Sequence, residues 1–529
     1  MKTTPNTRLE TTHTTENKIP VLESRLMSLE HENLELKAKV KYYEEQFRLF
    51  QHQKFGSSNE KIHPEQLSIN EVEKLSQQPH EEPVLDEVIE KRRTGKSKSR
   101  KTYADLPVEE IIYTLTGDDQ LCPTCDHPLH EMKTEIRKEL VIIPAKVKMV
   151  HHKKIVYACR KCDNEGTTGT IITAPSPKPP LPGSMASASL LSYIIDNKYN
   201  LALPLYRQEE ALLNYGLDIS RQNMAHWVMR ASDKWLKSIY DRMHAHLLKE
   251  RMIHADESPL QVIDVKKGNC YMWLYASGEK GNHPIYLYDY QPGRTGKYPK
   301  MFLDGFKGCL QTDGYKGYNL VEGVTQVGCM AHARRKYTDA LKAMPKGCDL
   351  SETKANEALK FFKDLYILEK AFKELTPDER RAARLKESTK IMDAYKDWLT
   401  DQKAVALPKG KLGEAINYSI NQWDKLSAYL YDGHVAIDNN RAERAIKPFV
   451  IGRKNYLFSK SPKGATASAL CYSIVQTAKA NSLNPFEYLN YLFEQLPNTD
   501  VENPDVLDAL LPWSKELPNE FRIKREELT

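Results

Sequence analysis

A chain of 529 residues is too long for one hydrophobic core and divides into several domains. Its 40% hydrophobic content suffices for packed cores, while a mean hydropathy of −0.60 leaves room for polar extensions. No run of ~18 apolar residues marks a membrane span. The net charge of +6 is small for this length, so a nucleic-acid partner would have to be met by local basic patches. The opening MKTTPNTRLE lacks the apolar run of a signal peptide, and the expected compartment is the cytoplasm.

Residues 16–54 read as a coiled coil. Ile19, Leu26, Asn33, Val40 and Phe47 take one heptad position, and Leu22, Leu29, Leu36, Tyr43 and Phe50 the other. Leu22, Leu26, Leu29, Asn33, Leu36 and Val40 are the expected seam of a parallel homodimer, with Asn33 fixing register; the bland alternative is a helix packed on its own domain. Residues 55–106 are polar and charged and read as a linker. Its KRRTGKSKSRK run at 91–101 either neutralises phosphates or is a solvated tether.

The nine cysteines include two CxxC pairs, Cys122/Cys125 and Cys159/Cys162, inside a segment read as 107–174. Two thiolate knuckles separated by strand-like EIRKELVII and KIVYAC have the spacing of a zinc ribbon closed by four cysteines. His127 and His130 are substitute ligands, and a redox CxxC is the weaker alternative because one pair would be surplus. After the proline-rich 174–183, residues 184–248 read as helical. Within 203–232 the pattern is helix, turn at Gly216, Ser220 as N-cap, helix. A helix-turn-helix would put Arg221, Gln222 and Asn223 against base edges; a plain helical hairpin is the alternative.

An α/β alternation follows. MIHADESPLQVIDV and CYMWLYAS flank a turn signal at Lys267-Gly268-Asn269, and HPIYLYDY makes a third strand. A helix near Lys297–Leu303, strands at CLQT and VTQVGC and a helix from Met330 come next. Three antiparallel strands, a helix and further strands is the order of a ribonuclease-H-like core, assigned to 249–338 and 434–482. The mostly helical 339–433 would be an all-helical insertion, and 483–529 a C-terminal segment. The tail from Pro497 suggests no role.

Three acids stand in distinctive settings: Asp256 in HADESPLQV, Asp313 before a glycine turn in LQTDGYKGYN, and Glu443 on a capped basic helix in IDNNRAERAIKPF. Among 71 acidic residues the order of three means nothing, and each alone reads as a surface charge. Glu257, Asp264, Asp304 and Asp438 rank lower. Together the three are hard-oxygen ligands suited to two Mg²⁺ or Mn²⁺ ions and to phosphoryl transfer. Arg334, Arg335, Arg444, Lys447, Arg453 and Lys454 are the nearby cations for a DNA backbone. Cys329 and His332 either brace the core or bind a metal.

The strings KYNLALPLYRQE, HADESPLQV, QTDGYKGYN, GCMAHARRKY, IDNNRAERAIKPFVIGRKNYLFS and NPFEYL resemble transposases of the insertion-sequence-66 family over nearly the whole chain. Ser258 stands where threonine is usual and Met330 where tryptophan is common. The resemblance implies Asp256, Asp313 and Glu443 as a DDE triad and Cys122, Cys125, Cys159 and Cys162 as zinc ligands. It also implies DNA ends and target DNA as partners, accessory proteins of the same element, and a bacterial, nucleoid-associated location. The rival expectation is a non-catalytic zinc-containing DNA-binding regulator or an inactive copy.

Overall fold

The computed structural model describes residues 29, 40, 44, 146–158, 171–266, 269–345 and 349–523. The chain divides into two compact units. Of the unit 78–153, residues 146–153 are described, exposed and without regular structure. The other unit comprises 1–77 and 154–529. Leu22, Leu26, Asn33, Leu36 and the cysteines at 122, 125, 159 and 162 lie outside the described residues, as do Lys267 and Gly268. Leu29 and Val40 are helical and about half exposed. The KIVYAC strand exists as β1 (Val156–Ala158), paired antiparallel with β2 (Ile171–Thr173).

The helical region opens with α1 (Ala188–Tyr199), α2 (Leu205–Leu213) and α3 (Arg221–Ala231). A π-helical turn at Ser232–Leu236 leads into α4 (Lys237–Leu247). Ser220 Oγ accepts the Asn223 N–H at 3.3 Å, capping α3 as its sequence directs. Gly216 turns the chain between α2 and α3 at φ 77°, which only glycine adopts freely. Arg221, Gln222 and Asn223 are exposed on the first turn of α3.

The sheet follows: β3 (Met252–Leu260), β4 (Cys270–Ser277), β5 (Tyr286–Gln291), α5 (Lys297–Phe302), β6 (Cys309–Gln311) and β7 (Thr325–Val327). Its order is β5-β4-β3-β6-β7. β3, β4 and β5 run antiparallel by hairpins, whereas β6 and β7 add in parallel. β4 is buried almost throughout, which explains why CYMWLYAS shows no polar alternation.

From Met330 the chain is helical: α6 (Met330–Lys342), α7 (Lys354–Ala371), α8 (Pro377–Ala383), α9 (Thr389–Val405), α10 (Lys411–Asn421) and α11 (Trp423–Ser427). These share a core of Tyr337, Phe362, Leu365, Tyr395, Leu399, Ile416 and Tyr429. Arg384, wholly buried, ties them together. It grips Glu369 through Nε (2.7 Å) and Nη2 (2.6 Å) and donates to the carbonyls of Tyr429, Asp432 and Val435.

The chain then returns to the sheet through α12 (Asn440–Tyr456), α13 (Pro462–Ala480), α14 (Pro485–Gln495) and α15 (Pro504–Ala509). α13 is buried on nearly every side and covers the outer edge of β5. Ser473 Oγ accepts the Tyr288 N–H (2.8 Å) and Thr477 Oγ1 the Tyr286 N–H (3.1 Å). Two hydroxyls one turn apart thus satisfy an edge that would otherwise invite strand pairing. The tail given no role in the sequence is part of the fold. Asp508 of α15 pairs with Arg242 (2.5 Å) and His246 (2.9 Å) on α4, and Phe521 is buried.

Candidate active site

Asp256 lies mid-strand on β3, paired in register with Leu274. Asp313 lies just past β6, where the chain leaves the sheet; β3 and β6 are adjacent and parallel, so both acids sit at the same end of the sheet. Glu443 lies in the first turn of α12, which crosses β3 and β4. Burial raises the Asp256 carboxyl well above the usual range, and the charges of Glu257, Asp313 and Glu443 raise it further. The strand register and the contacts of Asn439 with His254 and Ala255 bring these acids, far apart in sequence, to one end of the sheet.

The Asp313 turn is held at both ends. Asp313 Oδ1 accepts the Tyr315 N–H (2.9 Å), and its carbonyl accepts the Tyr418 hydroxyl of α10 (2.8 Å). Gly314 has φ 91°, and a Cβ there would stand 3.0 Å from the Tyr418 oxygen. The Asp-Gly pair is thus required by backbone conformation and by a close approach.

Glu443 is only 7% exposed. Neither of its oxygens accepts a hydrogen bond, an unfavourable state for a buried carboxylate. Burial first, then the charges of Asp438 and Asp313, push its carboxyl up to about 7 against the pull of Arg335 and Arg444. His332 Nδ1 stands 3.5 Å away and Arg335 Nη2 3.9 Å away, both from α6. Burial and Arg335 lower His332 to about 4, so it is neutral near pH 7. Cys329, His332 and Glu443 bring their ligand atoms within 4.8 Å of one another.

Asn439 corrects the simplest reading of the DNN cap. Its side chain makes no cap bond. Its Oδ1 is 3.0 Å from His254 Nδ1 and its Nδ2 donates to the Ala255 carbonyl (2.9 Å), while its backbone N–H donates to Cys329 Sγ (3.1 Å). One residue joins the Asp256 strand, the head of α6 and the start of the Glu443 helix. Asp438 does the capping, accepting the Asn440 N–H at 3.1 Å, with the Tyr366 hydroxyl on its other oxygen at 2.9 Å. Asn439→Ala removes two buried side-chain bonds. It is expected to cost about 2 kcal/mol, read as a lowered melting temperature, and to lower activity further than the stability loss explains.

The competing acids separate clearly. Asp264 and Asp304 are exposed. Glu257 is close to the site but committed: Arg294 Nη2 meets it at 2.5 Å and the Tyr318 hydroxyl donates to it at 2.5 Å. Of the cations expected near DNA, Arg444 and Lys454 are exposed and Lys447 half-buried on α12. Arg453 donates to Ser258 Oγ (3.1 Å) and the Pro259 carbonyl, bracing α12 on β3. Arg334 lies over the Tyr366 ring, 5.9 Å from its centre. Tyr418 and the bridging role of Asn439 are contributions that sequence reasoning missed. No local pattern announces either.

Carboxylates that raise one another, one of them with both oxygens buried and without a donor, have the hard-oxygen character that suits a divalent cation. Among the described helices none is long and apolar enough to cross a membrane.

Comparison with known proteins bears on this site. The family model described as "Transposase IS66 family" matches residues 183–467, and the "IS66 C-terminal element" matches 473–513. The "zinc-finger binding domain of transposase IS66" matches 119–163. "Transposase C of IS166 homeodomain" matches 42–111, overlapping the stretch read as a linker. Three similar proteins of Sinorhizobium fredii (strain NBRC 101917 / NGR234) are named uncharacterized protein y4jD, y4hP and y4qI. The first is 28% identical over 77% of this chain and 80% of its own length. The second is 27% identical over 79% and 77%, and the third 28% over 71% and 70%.

Proposed function

The chain belongs to the IS66 transposase family, and from that membership we propose that it is a DDE transposase that cuts DNA at the ends of an insertion sequence and joins them to target DNA. The observation that carries the proposal is that the β3–β6 register brings Asp256 and Asp313 side by side, while Asn439 ties the start of the Glu443 helix to the strand that holds Asp256. The sheet order β5-β4-β3-β6-β7, with acids on β3, after β6 and on a later helix, supports a ribonuclease-H-like core. The helices from α7 to α11 are then an insertion before the last acid.

In this reading Asp256, Asp313 and Glu443 hold two divalent cations, Mg²⁺ or Mn²⁺. The bound ions would supply charge neutralisation for in-line displacement at phosphorus. In the first step water attacks a backbone phosphorus and the P–O3′ bond breaks, freeing a 3′-OH. In the second, that hydroxyl attacks a target phosphate and its 3′-oxygen leaves. His332 and Arg335 flank Glu443, and Arg335 sets a positive charge beside its carboxylate. Arg444, Lys447 and Lys454 hold the backbone beside it, with Arg334 further along α6. Arg221, Gln222 and Asn223 on α3 read DNA ends. Cys122, Cys125, Cys159 and Cys162 bind structural zinc, and the 16–54 coiled coil pairs two chains so that two ends are held together. The expected setting is the bacterial cytoplasm at the nucleoid, with accessory proteins of the same element.

The test is incubation of the protein with DNA flanking its own gene and Mn²⁺. The expected product is a discrete 3′-OH end at each flank. Specific binding without cleavage, also after adding the proteins encoded beside it, would instead support a DNA-binding regulator.

A further inference from the structure

The end of α12 carries a feature that the reaction at the acids does not use. Leu457 has φ 65° and ψ −48°, and the Phe458 N–H bonds the Tyr456 carbonyl at 2.8 Å across it. This is the positive-φ γ-turn, rare and strained for a residue with a branched side chain. A helix end that merely stopped would place glycine there. The strain is held by bonds on both sides. The Leu457 N–H donates to the Arg453 carbonyl (2.7 Å), the Ser459 N–H to Gln261 (3.0 Å), and the Ile263 N–H to Ser459 (3.0 Å). What this geometry achieves is the display of two apolar side chains in water: Leu457 is 65% exposed and Phe458 44%.

Their surroundings are cationic. Glu443, Lys447, Ile451 and Lys454 are spaced four, four and three apart, so they share one face of α12. Lys460 and Lys463 follow the turn. None of these four lysines forms an ion pair with a described residue, and no acid lies between Glu443 and Lys463 in the chain. One exposed acid, Asp264, reaches the strip from the neighbouring strand end, its N–H donating to the Lys460 carbonyl (3.0 Å), so four lysines face one carboxylate. A strip of lysines ending in an exposed Leu-Phe pair complements a polyanion with apolar interior faces, which is stacked DNA. From Glu443 to Leu457 the helix advances about 21 Å. At ~3.4 Å per step this spans about six base pairs.

We propose that Leu457 and Phe458 form a wedge that enters duplex DNA lying along α12 and unstacks a base step about six base pairs from the phosphate at the acids. The proposal rests on the reading of DNA as substrate. The turn holds the wedge rigid, so little ordering cost falls on binding.

The test uses the full chain and duplexes of its flanking DNA, each with one 2-aminopurine placed from about three to about nine base pairs from the cleaved phosphate. Fluorescence of the base rises when it unstacks. The wild type is expected to give a rise confined to the middle of that range. Leu457→Gly with Phe458→Ala should abolish the rise and slow cleavage about tenfold or more. A mismatch at the same step should restore cleavage. Because glycine suits the positive φ, the melting temperature of this variant should hold or rise, which separates a lost wedge from a damaged fold. DNA bound and cut with no fluorescence change at any position, or a variant that cleaves as the wild type does, overturns the wedge alone. A variant that instead changes the sedimentation of the protein assigns the patch to a second copy and also overturns it. Failure of the wild type to bind any duplex brings down the DNA reading and the wedge together.

Discussion

Asp313→Asn is expected to lower strand cleavage by about three orders of magnitude or more while leaving the affinity for flanking DNA within a few-fold. The reason is local. Asp313 is placed by backbone contacts, the Tyr418 hydroxyl on its carbonyl and the strain-free Gly314 turn, which an amide side chain leaves intact. What the change removes is a negative charge that acts on both Asp256 and Glu443. A cation held at such a site contributes several kcal/mol to an in-line displacement, and ~4 kcal/mol is about a thousandfold in rate. Asp256→Asn and Glu443→Gln should act alike, and pairs of them should add little, because the carboxylates work as one unit. Asp264→Asn and Asp304→Asn are the controls: both are exposed and should cleave as the wild type does. Cleavage is read as yield of the labelled 3′-OH end, and affinity by anisotropy without divalent metal. Residual cleavage within tenfold of wild type in Asp313→Asn would remove it from the reacting centre.

Local chemistry made much of the fold legible. Ser220 caps α3, Gly216 turns before it, and the strand and helix runs between 252 and 342 appear in the order that their periodicity predicts. Those features are decided within a few residues. What could not be read was decided by packing across long separations. Tyr418 meets Asp313 from 105 positions away, and Asn439 meets Cys329 from 110. The DNN string does read as a helix start. Its middle residue nevertheless turns inward, because His254 and the Ala255 carbonyl offer buried partners that solvent cannot. The tail looked idle because its charges are paired by α4, whose own sequence gives no hint of Asp508. The position of His332 and Arg335 beside Glu443 was invisible for a related reason. They follow Cys329 by three and six residues, and which face α6 presents depends on the helices that cover its other side.

The stability of the protein should fall as pH rises, and divalent metal should reverse that fall. Glu443 sits at about 7 in the fold against an ordinary 4.5. A carboxyl raised by folding binds its proton more tightly in the native state. Below pH 4.5 it is protonated folded and unfolded, and the proton imposes no penalty. Between about pH 4.5 and 7 the unfolded chain ionises first, so stability declines, by about 3 kcal/mol at most from this group. Asp256, raised mainly by burial, pushes in the same direction. A divalent cation binds the ionised carboxylates and so competes with the proton. Mn²⁺ should therefore raise the melting temperature little at pH 5 and most at pH 8. Glu443→Gln carries no charge to bury. It should be more stable than wild type by about 2 kcal/mol at pH 8 in metal-free buffer, and gain much less from Mn²⁺. Calorimetry at both pH values, in chelator-free buffer, reads all four arms. A Mn²⁺ shift of equal size at pH 5 and pH 8, or one retained in full by Glu443→Gln, would show that the buried, donorless carboxylate on α12 is not where the metal acts.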